Sequence, residues 1–425
     1  MTAAHGGFGS EQVPLGGGAA VFERLCQSWS GIEGVELLAV GAGPRGPKDT
    51  AYRQVAAPAR SPSALSTFAY ARFCSDFERA STELALAEKP DIVLAHDISE
   101  GPNVGALRAA GIAVATVFHV DVVDIFSRLY LGSVVKPQTL VNMFARTESL
   151  PWPSVLKLVF QKQKEVMERG QLNLVPSPGA AELLGVCYPG APSVTEVVGW
   201  GAPELNLSED AIAQRARELR TEYEIPQYHR VVLTLSRLSP EKAQHRLLQA
   251  VALAESEGRA PKDVTLVVAG APAFMQGDRH AKRLRRLAAK LRTRVVFPGH
   301  VGGLDKAGWY RTADLFAVCS LHESYGLTTL EAMQQGCPVV AVSSFGTRAT
   351  VAPLAGRLVP PGPELVRRLW GELELLITDG SEGIRSSLSE GAKQTAREQS
   401  FQSASGRVLE ALKRLEPMRK SHRNH

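Results

Sequence analysis

Short apolar runs rich in β-branched residues alternate with helical segments along the whole of this 425-residue chain. That alternation predicts parallel sheets covered by helices, and a chain of this length divides into two or more domains. We therefore expect an α/β protein. The predicted strands are Val35–Val40, Asp91–Ala95, Ile112–Phe118, Leu172–Pro176, Val194–Val198, Val231–Leu235, Val264–Ala269, Val295–Phe297, Leu315–Cys319 and Val339–Val342.

The composition fits a globular protein of the cytoplasm. Hydrophobic residues make up 44% and charged residues 21% of the chain, which is ordinary for a soluble domain protein. No apolar run is long enough to predict a membrane-spanning helix, and the start M-T-A-A-H-G-G-F-G has no signal-peptide pattern. The 5 cysteines are scattered and never in C-x-x-C spacing, which favours a reducing compartment without disulfides or a zinc site.

The segment Ser320–Val342 carries the clearest chemical pattern. Its sequence S-L-H-E-S-Y-G-L-T-T-L-E-A-M-Q-Q-G-C-P-V-V-A-V predicts a loop after a buried strand, a helix from about Leu327, and a stop at Gly336. Glu323 lies on the loop and Glu331 lies one turn into the helix. Because a helix start attracts anions, the arrangement suits a diphosphate with hydroxyl groups held by the two carboxylates. The alternative is a helix with one buried and one solvated glutamate.

Glu323 and Glu331 resemble the E-x7-E motif of retaining glycosyltransferases of the GT-B fold, family 4, or glycosyl transferases group 1. The run E-S-Y-G-L-T-T-L-E-A-M-Q-Q-G-C-P-V-V-A is similar to that family's E-G-F-G-L-x-x-L-E-A-M-A-x-G-x-P-V-V-A. The resemblance is sharp over residues 231–345 and diffuse before them. It implies two Rossmann-like parallel-sheet domains facing a central cleft, with a C-terminal helix that crosses back to the N-terminal domain.

A second motif follows the predicted strand Val231–Leu235. Arg237 and Lys242 flank a proline-started turn, so both cations can reach one anion, the arginine as a planar fork and the lysine as a point charge. The segment resembles the family's G-R-L-x-P-x-K-G, with Ser236 and Ala243 in place of the glycines. The resemblance makes the two cations ligands of a diphosphate. The alternative is a pair of surface cations.

Polar residues also follow two predicted strands of the N-terminal half. His96 and Asp97 follow one strand and His119 follows the next, at the edge where open α/β sheets bind ligands. The resemblance places His119 beside the transferred sugar and the acceptor. It places Gly17 and Gly18, in the glycine-rich segment before the first helix, against the phosphates. The alternatives are an ordinary turn and histidines with structural roles.

The resemblance assigns the remaining donor-site residues. It implies that Glu323 holds hydroxyls of the donor sugar, that Glu331 holds the ribose hydroxyls, and that a loop reads the nucleobase through its backbone. We expect catalytic roles for His119, Glu323, Arg237 and Lys242. The residues expected to bind the donor are Gly17, Gly18, Arg237, Lys242, His300, Val301, Tyr325, Gly326, Leu327 and Glu331.

The predicted reaction is transfer of a sugar from a nucleoside-diphosphate sugar to a hydroxyl acceptor. The resemblance implies that the anomeric configuration is retained. We expect no cofactor and no essential metal, because cations of the chain are already aimed at the phosphates. An epimerase of nucleotide sugars and a catalytically inactive scaffold with the same fold are the alternatives. The donor sugar, the nucleobase, the acceptor and the oligomeric state stay open.

The domain boundaries follow from the same pattern. We expect an N-terminal domain over residues 1–198, to which a helix at 403–415 returns, and a C-terminal domain over residues 199–402. The basic tail at 416–425 is expected to be disordered. The first strand is unusual, since Met1–His5 offers only T-A-A: either the strand is very short or the chain starts inside it.

A basic amphipathic helix is predicted at residues 279–294, with the sequence R-H-A-K-R-L-R-R-L-A-A-K-L-R-T-R. Its cationic face is expected to be a solvated surface of the domain. Contact with anionic lipid, as peripheral membrane association, is the alternative that we keep; nucleic acid is not an expected partner.

Overall fold

The computed structural model describes residues 1–3, 5–6, 17–58, 62, 65–131, 134–204, 206–259, 262–273 and 276–415. It divides into two compact units, Met1–Gly199 together with the residues from Ala404 on, and Trp200–Ser403. The tail 416–425, expected above to be disordered, lies outside the described residues.

The first unit is built on a seven-stranded parallel sheet with the order β3-β2-β1-β4-β5-β6-β7. Its strands are β1 (Thr2–Ala3), β2 (Leu38–Gly41), β3 (Ala51–Gln54), β4 (Ile92–His96), β5 (Ala113–Val117), β6 (Leu172–Val175) and β7 (Val194–Val197). Its helices are α1 (Gly17–Trp29), α2 (Thr67–Glu88), α3 (Val104–Ala109), α4 (Val122–Ile125), α5 (Pro137–Thr147), α6 (Ser154–Arg169) and α7 (Pro178–Cys187), with a π-helical turn at Phe126–Tyr130.

The second unit is built on a six-stranded parallel sheet with the order β10-β9-β8-β11-β12-β13. Its strands are β8 (Arg230–Leu235), β9 (Val264–Ala269), β10 (Arg294–Gly299), β11 (Leu315–Val318), β12 (Val339–Val342) and β13 (Gly356–Val359). Its helices are α8 (Glu209–Glu222), α9 (His245–Ser256), α10 (Gly277–Ala288), α11 (Gly303–Thr312), α12 (Leu327–Gln334), α13 (Phe345–Thr350), α14 (Leu365–Ile377) and α15 (Glu382–Glu398), with a short 3₁₀ turn at Pro240–Lys242.

Each predicted strand matches a strand of the structure, so the α/β prediction with two parallel sheets is confirmed. Two strands were missed, β3 and β13. Strand β3 is an edge strand with largely exposed side chains, so its pairing with β2 has no apolar signature in the sequence. The first described strand, β1, is only two residues long. It belongs to the sheet because it pairs with β2 on one side and with β4 on the other.

The central strands of the second unit explain why the sequence pattern is so clear there. Every residue of β9 and β12 is buried, because helices cover both faces of a parallel sheet. The strands thus form a rigid base. Loops that carry polar side chains leave it at the carboxyl ends of the strands, and the packed core fixes where each loop starts.

The last helix, α16 (Phe401–Lys413), joins the first unit from Ala404 on. Trp29 donates its indole N–H to the backbone oxygen of Ser405 at 3.3 Å, and Arg414 pairs with Glu196 at 2.7 Å. These contacts attach the end of the described chain to the N-terminal unit.

Candidate functional site

The candidate site of the second unit lies where two neighbouring strands end. β8 and β11 are adjacent, yet β9 and β10 lie on one side of them and β12 and β13 on the other. At such a point the connections leave in opposite directions and open a crevice at the carboxyl ends of the strands. Arg237 and Lys242 follow β8, and Glu323 follows β11, so the topology brings the two sequence motifs to one place.

Lys242 and Glu323 form a close ion pair. The ammonium nitrogen of Lys242 donates to Oε2 of Glu323 at 2.7 Å, and the side chains are 15% and 16% exposed. Burial opposes ionisation of Glu323, but Lys242, followed by His322 and Ser320, holds the pKa of the carboxyl below its usual range. Burial lowers the pKa of Arg237. The nearby carboxylates of Glu241 and Glu323 act in the opposite direction with a smaller effect.

The backbone of the next helix holds the loop of Glu323 in place. Gly346 donates its N–H to the backbone oxygen of Glu323 at 2.8 Å, and Ser344 caps the same helix, α13. A Cβ atom on Gly346 would lie 2.5 Å from the nitrogen of Tyr325 and 2.6 Å from the oxygen of Glu323. Glycine is therefore required there, and this close approach holds the backbone of the loop that carries Glu323.

The start of α12 follows directly. Gly326 has φ 98°, a left-handed conformation that favours glycine, and among the described residues no side chain caps the first turn of the helix. A helix start of this kind can accept an anion. The hydroxyl of Tyr325, by contrast, accepts from the N–H of Gly201 and donates to Gln399, so it is used within the protein. Any contact of Tyr325 with a ligand would come from its backbone.

Glu331 has partners that the sequence did not reveal. It is 5% exposed, and its carboxylate accepts from Lys306 at 3.0 Å and from the hydroxyl of Tyr310 at 3.2 Å. Lys306 and Tyr310 lie four residues apart on α11, hence on one face of it. The spacing of Lys306 and Tyr310 can be read from the sequence. The packing of α11 against α12, which brings both side chains to Glu331, is known only from the tertiary structure. Glu323 and Glu331 are thus each paired with a different lysine.

His300 and Val301 follow β10, the edge strand two places from β8. His300 is exposed and Val301 is half-buried. Neither residue is hydrogen-bonded or ion-paired to the Lys242–Glu323 pair in the described part of the chain. Their role in binding a nucleobase stays a prediction.

The first unit brings together three of the residues that its sequence singled out. His96 ends β4 and His119 follows β5, and Nδ1 of His96 lies 3.0 Å from Nε2 of His119. Gly18 lies in the first turn of α1 against the same ring, since a Cβ atom there would come within 2.9 Å of Cδ2 of His119. Gly17 begins α1 and is exposed. Burial lowers the pKa of His119 to about 4, so its imidazole is neutral at pH 7.

A group of acidic residues lies beside this histidine pair. Glu100 is 2% exposed, accepts from the hydroxyl of Tyr70 at 2.5 Å and lies 3.5 Å from His5. Burial raises the pKa of Asp97 to about 7, and the Glu100 carboxylate adds to the shift. Asp97 also has φ 82°, a costly conformation for a residue other than glycine. His5, Tyr70 and Glu100 were not singled out from the sequence, because nothing local marks them.

Within the described residues, no group of three or more His, Cys, Asp or Glu side chains is arranged to hold a metal ion. None of the described helices is both long and apolar enough to cross a membrane.

Solved structures with this architecture define the fold. Anabaena HepE, in complex with UDP and glucose, superposes with a TM-score of 0.70 at 19% identity and covers 97% of this chain and 98% of its own. WaaG, a glycosyltransferase involved in lipopolysaccharide biosynthesis, superposes with a TM-score of 0.69 at 16% identity and covers 97% and 99%. The protein has the GT-B fold of glycosyltransferases, two Rossmann-like units in one chain.

A family model matches part of the second unit. Residues 216–395, less than half of the chain, match the model of the family described as glycosyl transferases group 1. D-inositol 3-phosphate glycosyltransferase of Salinispora tropica is 34% identical over 219 residues, 49% of this chain and 44% of that protein. The enzyme of the same name from Streptosporangium roseum is 32% identical over 215 residues, 50% and 47%. The matched segments span less than half the length of these curated relatives.

Proposed function

We propose that this protein is a retaining glycosyltransferase that moves a sugar from a nucleoside-diphosphate sugar to a hydroxyl acceptor. One observation carries the proposal: Lys242 and Arg237, from the end of β8, lie around Glu323, from the end of β11, next to the start of α12. Two fixed cations and a helix start are the groups that a diphosphate needs.

The chemistry follows from the charge that develops on the leaving group. When the glycosidic bond breaks, the diphosphate gains negative charge, and Arg237, Lys242 and the N–H groups at Gly326–Leu327 stabilise it. Hydrogen bonds to charged groups contribute about 1.5–3 kcal/mol each. Two of them that strengthen in the transition state lower the barrier by enough for several powers of ten in rate, since about 1.4 kcal/mol is tenfold. We propose that the step requires no metal ion.

Glu323 and Glu331 would hold hydroxyl groups of the donor. In the structure Glu323 accepts from Lys242, and Glu331 accepts from Lys306 and Tyr310. The sugar and ribose hydroxyls would donate hydrogen bonds to the oxygen atoms of these carboxylates, and the ammonium group of Lys242 would turn to the diphosphate. Retention would follow because the acceptor hydroxyl attacks the anomeric carbon from the same face of the sugar that the diphosphate leaves. The departing phosphate would take the proton of that hydroxyl.

The comparisons suggest which ligands to test first. Structures of HepE contain UDP and UDP-glucose, and the relatives with the highest identity quoted above act, by their names, on D-inositol 3-phosphate. We propose a UDP-sugar as the first donor and a phosphorylated polyol as the first acceptor.

The test is a panel of UDP-, GDP- and ADP-sugars, assayed by thermal shift and by release of nucleotide, with and without EDTA. We expect one nucleotide family to stabilise the protein and to be hydrolysed slowly, with no effect of EDTA. Stabilisation that EDTA abolishes would contradict metal independence. No stabilisation by any nucleotide sugar would refute the glycosyltransferase proposal itself.

Glu323→Gln separates catalysis from binding. The variant should lose turnover because the sugar hydroxyls lose a charged acceptor, whereas the affinity for the free nucleotide should stay within a few-fold of the wild type. Glu390→Gln, an exposed carboxylate in an i,i+3 pair with Lys393, is the matched control and should change neither. Loss of nucleotide affinity in Glu323→Gln would contradict the proposed role.

We further propose that α10 contacts anionic lipid. Arg279, Lys282, Arg283, Arg285 and Arg286 are exposed on this helix, while its other face is buried. Each cation near an anionic surface contributes about 1 kcal/mol. Flotation with phosphatidylcholine vesicles, with and without phosphatidylglycerol, tests this: we expect binding to the anionic vesicles alone, weakened by salt and by Lys282→Glu with Arg286→Glu. No binding would leave the face as a solvated surface.

A further inference from the structure

The hydrogen-bonded pair of histidines in the first unit, one buried and one half-buried, has a chemical consequence that depends on which nitrogen atoms carry protons. Nδ1 of His96 and Nε2 of His119 are 3.0 Å apart, which is a hydrogen bond. A neutral imidazole has one N–H and one lone pair, so one ring must donate and the other must accept. Burial lowers the pKa of both rings, to about 4 for His119, so both are neutral at pH 7.

The surroundings of His96 decide the direction of this bond. His96 is 2% exposed, and its Nε2 atom is buried without a hydrogen-bond partner among the described residues. The ring of Phe22 packs edge-on against it at 5.3 Å and offers no oxygen or nitrogen. If Nδ1 of His96 accepted, Nε2 would carry a buried N–H with no acceptor, and orphaned buried N–H groups are rare because they cost about 1–3 kcal/mol.

We infer that His96 is a positioning residue that donates from Nδ1 to Nε2 of His119 and thereby fixes His119 as the tautomer with its proton on Nδ1. His119 is half-buried, so its ring can be reached by a ligand, whereas His96 is enclosed. Gly18 leaves room for the His119 ring in this orientation, since a Cβ atom there would lie 2.9 Å from Cδ2 and 3.0 Å from Cγ.

The consequence for the reaction is that His119 is a hydrogen-bond donor and not a base. Its Nε2 lone pair accepts from His96 and so cannot take the proton of the acceptor. The group of the ring that would donate to an oxygen atom of a sugar is then Nδ1–H. This extension rests on the proposed function, because it assigns the proton of the acceptor hydroxyl to the departing phosphate and leaves His119 to orient a hydroxyl group. His5 and Glu100 flank the pair, and Glu100 favours the charged form of His119 without overcoming the effect of burial.

The tautomer is measured directly by ¹⁵N NMR of histidine side chains in the ligand-free wild-type protein at neutral pH. We expect the proton of His119 on Nδ1 and a hydrogen-bonded, unprotonated Nε2. A proton on Nε2 of His119 would overturn the inference. This measurement needs no substrate, so it stands even if no nucleotide sugar is turned over, which would refute the proposed function instead.

The variant His96→Phe keeps a ring against Phe22 and removes the donor. We expect His119 to shift towards the Nε2–H tautomer, kcat to fall about tenfold for the loss of one oriented hydrogen bond, and nucleotide affinity to stay unchanged. The control is His229→Phe, a half-buried histidine of the second unit bonded to Thr265, which should leave the His119 spectrum as it is. An unchanged tautomer in His96→Phe would also overturn the inference, and His96→Gln, which keeps a donor, serves if the phenylalanine variant does not fold.

Discussion

Removing Lys242 should destabilise the second unit more than neutralising Glu323. Lys242→Met leaves a carboxylate that is only 16% exposed without its nearest cation, whereas Glu323→Gln leaves a flexible ammonium group that can turn to water. Breaking a buried pair from one side costs about 3–5 kcal/mol. Partial exposure and the nearby Arg237 reduce this, and we expect about 2 kcal/mol for Lys242→Met and about 1 kcal/mol for Glu323→Gln.

A double-mutant cycle isolates the interaction. The coupling energy between Lys242 and Glu323 should be about 1.5 kcal/mol, from urea unfolding at pH 7.5 with the transitions of the two units fitted separately. The exposed pair Lys393–Glu390 is the control and should give less than about 0.5 kcal/mol. A coupling for Lys242–Glu323 no larger than that of the control would refute the reasoning.

The pH dependence of the cycle gives an independent check of sign. The folded-state pKa of Glu323 is lowered from an ordinary value of 4.5. A lowered carboxyl pKa contributes stability that is present above the unfolded value and is lost as the pH falls through the folded one. The coupling should therefore be constant from pH 8 to about pH 5 and decline below about 4.5. A coupling that grows on acidification would contradict the assignment.

The remaining predictions concern other parts of the two units. Gly346→Ala should destabilise the second unit by about 1–3 kcal/mol and lower activity, because the added Cβ atom would clash with backbone atoms. The control is Gly371→Ala, at a helix position with open space, which should be neutral or stabilising by up to about 1 kcal/mol in the same urea assay. Lys306→Met should leave Glu331 buried without its cation and should lower the thermal midpoint measured without ligand. Added nucleotide sugar should raise the midpoint of the variant by less than that of the wild type if Lys306 also contacts the ligand. It should raise both midpoints equally if Lys306 only holds the carboxylate. The half-buried, neutral His119 has a folded pKa of about 4 against 6.5, so the wild type should lose stability as the pH falls from 6.5 to 4, by up to about 1.4 kcal/mol per unit of pKa shift. His119→Asn should flatten this slope in thermal melts, and an unchanged slope would contradict the lowered pKa of the ring.

The sequence alone determined the features that depend on short stretches of chain. The alternation of apolar runs with helical segments determined the two parallel sheets, because strands buried on both faces must be apolar throughout. The stop of α12 at Gly336, which has φ 72°, and the break before it at Gly326 were readable, since these backbone conformations favour glycine. Arg237, Lys242 and Glu323 could be selected as candidate site residues because each follows a recognisable buried strand.

Only the tertiary structure decided which of these side chains are partners. Glu331 pairs with Lys306 across 25 residues and His96 with His119 across 23, and nothing in either local sequence marks the partner. The edge strand β3 could not be predicted from the sequence for the same reason, because its register is set by pairing with β2 and not by its own residues. Hydrogen bonds and ion pairs between distant segments depend on strand order and helix packing. A sequence pattern gives the position of each group along the chain, while the fold sets the distances on which charge pairing and proton position depend.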